Sequence, residues 1–223
     1  MRNGCTHKTR AGFTLAELLV VLVIIGILFA IILPSLNTVA GQSKLDGAAN
    51  AVHAAAKLAR QYAVTQNQPT YLVFNEGQTD SNLTYRAYAV FTINIHTNVI
   101  NQSAGYFLTE WESLPVGVVF DNQASVGSRN VLIQGIGGWS GGFDRQNRLL
   151  IRSDDYPVLG FKPQGSQHRN IDSDIQLAEG FYDAGSLVRT SDQGKRIRID
   201  SMGESHITSV LYDESGEPQE IVK

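Results

Sequence analysis

Glu17 is the side chain that most needs a chemical explanation. It sits inside Phe13–Leu33, a run of 21 residues with no other ionisable group, and an acid within a membrane-spanning helix costs roughly 2.5–3.5 kcal/mol on insertion scales. A cation brought into the same apolar medium would neutralise it. A second pattern is Lys195-Arg196-Ile197-Arg198-Ile199. In a strand, Arg196 and Arg198 fall on one face about 7 Å apart, which concentrates positive charge there. Asp192, Asp200 and Glu204 nearby weaken that field, and the first expectation is a solvated outer face of a strand.

The remaining reactive side chains form no constellation. His7, His53, His96, His168 and His206 are far apart, with no His-x-x-x-His pair, no Cys ligands and no Gly-x-Ser-x-Gly elbow. The sequence therefore predicts no enzyme, metal centre or cofactor, and His53 reads as a solvated helix residue. Gly135-Ile136-Gly137-Gly138-Trp139-Ser140-Gly141-Gly142 lacks the Gly-Lys-Ser/Thr ending of a phosphate loop. It reads as a surface loop, with Trp139 half-buried. Asp172 and Asp174, with Asp154-Asp155, are too few carboxylates for calcium and read as turn residues.

Hydropathy places these groups on two kinds of element. A helix rises ~1.5 Å per residue, so about 20 apolar residues cross a hydrocarbon core of ~30 Å. Phe13–Leu33 meets that length, and Arg2, Lys8 and Arg10 upstream keep the N-terminus cytoplasmic. After Pro34, Leu45, Ala48, Ala49, Val52, Ala55, Ala56, Ala59, Tyr62 and Ala63 recur at helical spacing, opposite Lys44, Asp46, Asn50, His53, Lys57 and Arg60. Pro69 ends the pattern. The spine predicted for residues 13 to about 66 is roughly 80 Å long, with a bend or local melting at Leu33-Pro34. An ordinary signal peptide, with a weak cleavage site at Thr38-Val39-Ala40, has too short an apolar core to fit. A generic signal anchor leaves Glu17 unexplained.

From Thr70 the period shortens to that of strands: Tyr71-Phe74, Tyr85-Ile95, Tyr106-Trp111, Val116-Phe120, Val131-Gln134, Leu149-Arg152, Val158-Phe161, Ile175-Leu177, Arg196-Ile199 and Ile207-Leu211. The expected fold is α+β, a long N-terminal helical spine packed on an antiparallel β-sheet domain. The four parts are 1–12, 13–33, 34–66 and 70–223. Formal charge is −3. Removing residues 1–12 takes away three of the 18 basic groups and leaves 15 against 21 acidic, which disfavours a nucleic-acid coat. Cys5, the single cysteine, lies in that leader, so the rest of the chain would have no disulfide.

The segment Gly12-Phe13-Thr14-Leu15-Ala16-Glu17, behind a short basic leader, resembles the signal of type IV prepilins and pseudopilins at every position. Trp111–Val118, Gly160–Gly165 and Lys195–Ile199 are further similar to elements of the H-type minor pseudopilin group (GspH/FimT-like). The resemblance implies a pilin-like fold and a prepilin peptidase that cuts between Gly12 and Phe13 and methylates the Phe13 amine. Glu17 would meet the N-terminal amine of a neighbouring subunit, and Pro34 would kink the helix. The implied partners are other pilin or pseudopilin subunits, that peptidase and an inner-membrane assembly platform. The implied location is a single-pass span of the bacterial inner membrane with the C-terminal domain periplasmic, then a type II secretion pseudopilus or type IV pilus. Gly194-Lys195-Arg196-Ile197-Arg198 also resembles, imperfectly, a basic element by which some FimT-like minor pilins bind DNA. This makes Lys195, Arg196 and Arg198 candidate nucleic-acid contacts under an alternative reading as the tip pilin of a DNA-uptake or adhesive pilus.

Overall fold

The computed structural model describes residues 15–75, 83–94, 104–123, 129–132 and 157–221, with the side chains of 29–41, 93–94 and 104–105 set aside. The expected strand Leu149-Arg152, Trp139 with its glycine-rich loop, and Asp154-Asp155 lie outside these residues. The chain divides into two compact units, Met1–Gln42 and Ser43–Lys223.

One helix, α1 (Leu15–Gln66), belongs to both units. It is helical through Leu33-Pro34, where the sequence predicts a bend or local melting, so the helix does not melt there. Proline removes a single backbone donor and its own φ is helical, so a helix can carry it at the loss of one hydrogen bond. The end of α1 has a specific chemical cause. Asn67 adopts φ 52°, and the Gln68 N–H reaches back to the Ala63 carbonyl at 3.2 Å, the hydrogen bond of a Schellman cap. Pro69 then cannot continue the helix.

The second unit holds ten strands: β1 (Thr70–Phe74), β2 (Ala87–Asn94), β3 (Ala104–Phe107), β4 (Glu112–Ser113), β5 (Val118–Phe120), β6 (Val158–Phe161), β7 (Ser173–Asp183), β8 (Ser186–Ile199), β9 (Ser205–Tyr212) and β10 (Pro218–Glu220). They form two sheets where the sequence predicts one. The first has the order β3-β2-β1-β6 with β4 also on β2, and the second has the order β10-β9-β8-β7-β5. All these pairings are antiparallel. Two turns in the second sheet share one design. Asp200 and Asp213 each accept backbone N–H groups two and four residues on, and Gly203 and Gly216 take φ near +86° and +81°. That left-handed conformation favours glycine.

Packing explains why the helix is alanine-rich on one side. Leu45, Ala48, Ala49, Val52, Ala55, Ala56, Ala59 and Ala63 are buried at 3-and-4 spacing, in one cluster with Leu72, Phe74 and Val90 of the first sheet and Phe120, Ile175, Ile197 and Ile199 of the second. Small helix side chains let both sheets approach closely. Tyr62, expected on this stripe, is half-buried, and its hydroxyl pairs with that of Tyr106. Phe120 joins the sheets, making edge-on contacts with Phe74 at 5.1 Å and Tyr88 at 6.1 Å. Truncating it leaves a cavity that backbone on both sides resists filling. Phe120→Ala should therefore cost about 3–5 kcal/mol, read as a lowered urea midpoint of the full chain in detergent. Val116→Ala, at a position 77% exposed, should stay within about 0.5 kcal/mol.

Candidate functional site

The first unit offers a surface rather than a pocket. From Leu15 to Leu28 every described side chain is exposed, including Leu15 at 88%, Leu19 at 62% and Leu22 at 61%. An apolar surface of this extent is unfavourable in water and calls for lipid or protein to cover it. Among the described residues no helix is long and apolar enough to cross a membrane. The side chains of the apolar run are described only through Leu28, and the rest of the expected span lies outside that set. Glu17 falls in the first turn of α1, where the positive end of the helix dipole favours a carboxylate. Gly12 and Phe13 lie outside the described residues, as does the side chain of Pro34.

The basic strand is a different environment from the one its sequence suggests. Strand alternation does put Arg196 and Arg198 on one face of β8, with Lys195, Ile197 and Ile199 on the other. Yet Arg196 is buried, its side chain 3% exposed, beside the equally buried Asp174 at 1%. Arg198 grips Asp174 with two hydrogen bonds, Nε to Oδ1 at 2.9 Å and Nη2 to Oδ2 at 3.2 Å. This fork raises the Arg198 pKa, while partial burial pulls the other way. Arg196 donates from Nη2 to the Pro218 carbonyl at 3.1 Å and lies 3.7 Å from Glu220 and 3.8 Å from Asp174. The contact to Asp174 is charge proximity only, since Arg196 Nε has no hydrogen-bond partner. Lys195, on the opposite face, reaches Asp46 of α1 at 2.5 Å and Ser209 at 2.9 Å.

These three cations are thus spent on the protein itself, and the expected solvated face is corrected to a buried ionic layer. Asp174 is placed opposite Arg198 by the β7–β8 register, and Glu220 arrives from β10. Neither partner is close to the arginines in sequence, so the pattern alone could not reveal the pairing. Asp172 accepts the Ser201 N–H at 3.1 Å and sits 3.9 Å from Arg129, so its carboxylate is engaged in turn and ion-pair contacts.

Two further polar contacts escaped the sequence reading. Asp121, fully buried, receives Arg189 Nη2 at 2.7 Å, and the guanidinium lies 4.1 Å over the Tyr212 ring. The second involves His53. Its Nε2 lies 3.2 Å from the Ser205 carbonyl and 2.8 Å from the Ser205 hydroxyl. A carbonyl only accepts, so the bond to it requires the proton on Nε2, and in that tautomer this nitrogen has no lone pair with which to activate the serine. His53 therefore pins α1 to β9 instead of pointing into solvent. Burial and Lys57 lower its pKa, opposed by the bond to the Ser205 backbone. Among the described residues no group of three or more His, Cys, Asp or Glu is placed to hold a metal ion.

The ionic layer makes a quantitative claim. Asp174→Ala leaves Arg196 and Arg198 without their central counter-charge and should destabilise the full chain by about 3–5 kcal/mol. Combining it with Arg198→Ala should cost clearly less than the two single losses together. Additivity within about 0.5 kcal/mol in denaturant titrations would show that the pair is not coupled.

The family model of the prokaryotic N-terminal methylation motif matches residues 7–33. The model of the type II transport protein GspH matches residues 48–222. No curated protein matches the chain. Among solved structures, the crystal structure of the type IV minor pilin FimU of Pseudomonas aeruginosa PAO1 is similar, at 12% identity and a TM-score of 0.40, over 80% of this chain and 96% of that one. With a match over most of its length, behind an N-terminal methylation motif, the chain belongs to the GspH family and is a minor pseudopilin of the GspH/FimT-like kind.

Proposed function

We propose that the chain is made as a prepilin, cut between Gly12 and Phe13 by a prepilin peptidase that methylates the new Phe13 amine. The mature chain waits in the bacterial inner membrane as a single-pass protein with its second unit in the periplasm. It then joins other pilin-like subunits through residues 13–33, on an inner-membrane assembly platform, in a type II secretion pseudopilus that supports protein secretion. The observation that carries this reading is the combination, in one chain, of the methylation motif, the GspH match and a helix whose described apolar residues are exposed from Leu15 to Leu28.

The role proposed for Glu17 follows from electrostatics. Leaving lipid for a filament core would place its carboxylate in an apolar, protein-packed setting, where a charge is tolerated when an opposite charge is desolvated with it. The Phe13 amine of a neighbouring subunit is such a charge. It also fixes the axial register between two helices, because only one offset brings amine and carboxylate together. The alternative of a DNA-binding tip pilin draws no support from the geometry, since Arg196 is buried and Arg198 is forked onto Asp174. Glu17→Ala should leave membrane insertion intact and lower the amount of this subunit recovered in sheared filaments by about tenfold or more. Wild-type recovery of that variant would remove the proposed role.

A further inference from the structure

A groove of about 370 Å³ opens where the second sheet runs past its edge strand, lined by Thr84, Arg86, Val116, Gly117, Phe181 and Tyr182. Three independent features meet there. The first is an incomplete strand edge. β5 pairs with β7 only from Leu177 to Glu179. The Gly180 N–H still reaches the Gly117 carbonyl at 2.9 Å, after which the two chains part, because Gly117 turns at φ 90°. Alternation along β7 points the Tyr182 backbone to the same side as the Gly180 N–H, beyond the last residue that β5 covers. The second feature is apolar. Val116 is 77% exposed and Phe181 51%, and Val188 stands opposite Phe181 on β8 at 40%.

The third is a cation with capacity to spare. Arg86 donates one bond, from Nη2 to the Leu114 carbonyl at 3.0 Å. Among the described residues no carboxylate forms a salt bridge with it. An uncompensated guanidinium beside an apolar floor favours a ligand that brings a negative charge and greasy surface together.

We propose that this groove is a docking site for an extended segment of another polypeptide. The segment adds as a short strand to the β7 edge at Tyr182, packs a bulky apolar side chain against Val116 and Phe181, and offers a carboxylate to Arg86. Main-chain pairing supplies affinity in this mode and the side-chain contacts supply selectivity. Docking here involves only the second unit, so it does not depend on cleavage at Gly12 or on the N-terminal helix.

The test is selection of a random seven-residue peptide library displayed on phage against the full chain in detergent micelles, with Val116→Glu/Phe181→Ser protein as the counter-target. Both residues are exposed, and circular dichroism checks that the double variant is folded. The expected outcome is enrichment on wild type of peptides that combine an aromatic or branched apolar residue with Asp or Glu. A synthetic form of the dominant peptide should bind the double variant, and also Arg86→Met protein, about tenfold more weakly or worse. Changing its acid to the amide should weaken wild-type binding and leave Arg86→Met binding unchanged. Absence of any peptide enriched on wild type over the double variant would overturn the site. Enriched peptides indifferent to Arg86→Met would overturn the carboxylate contact.

Discussion

The structure depends on one helix being asked to serve two solvents. Leu15–Leu28 of α1 is apolar apart from Glu17 and exposed throughout, whereas Leu45–Ala63 is apolar on a single stripe that two sheets bury. The stripe is mostly alanine because a helix flanked by sheets on one side gains more from close backbone approach than from long side chains. The same narrowness leaves the opposite side of the helix polar, free to place Asp46 and His53 against the second sheet and Arg60 against the turn between β8 and β9. A change of solvent partway along a helix is thus met by a change in pattern, with the secondary structure kept.

The second sheet carries the electrostatic cost of this arrangement. Asp174 and Arg196 are nearly inaccessible, and Asp121 is buried beneath Arg189. Taking such groups out of water costs several kcal/mol each unless partners are close and correctly aimed. The fork from Arg198 and the Nη2 contact of Arg189 satisfy that condition, while Arg196, with an idle Nε, satisfies it only partly. What such a layer can give in return is register, because a one-residue slip of β8 against β7 would move Arg198 away from Asp174 and turn both arginines into the core.

The parts of this molecule that were legible in the sequence are those whose signal is local. Residues 45–63 repeat with the helical period, and the family's methylation motif is contiguous. The apolar centres of eight strands stand out by alternation, but their lengths and partners do not. β8 begins at Ser186 and runs through a polar stretch, Thr190–Gly194, that has no apolar period and where its register with β7 shifts, so no local pattern marks it as strand. β4 and β10 are too short to show a period. The division into two sheets is decided by which apolar faces meet across α1, and no local pattern records it. The basic strand is deceptive for the same reason: the acids near it in sequence, Asp192, Asp200 and Glu204, are not the ones that bury it, and its carboxylates come from residues 22 and 24 positions away on β7 and β10.

The Phe13 amine joins the two halves of this account, since it exists only if the leader is removed and is the cation proposed for Glu17. Its formation can be read directly by intact-mass and N-terminal peptide mass spectrometry of the chain purified from cells that also produce a prepilin peptidase. The predicted result is a protein that begins at N-methylated Phe13 and has lost Cys5 with the rest of residues 1–12. A chain that retains those residues in the presence of active peptidase would contradict it.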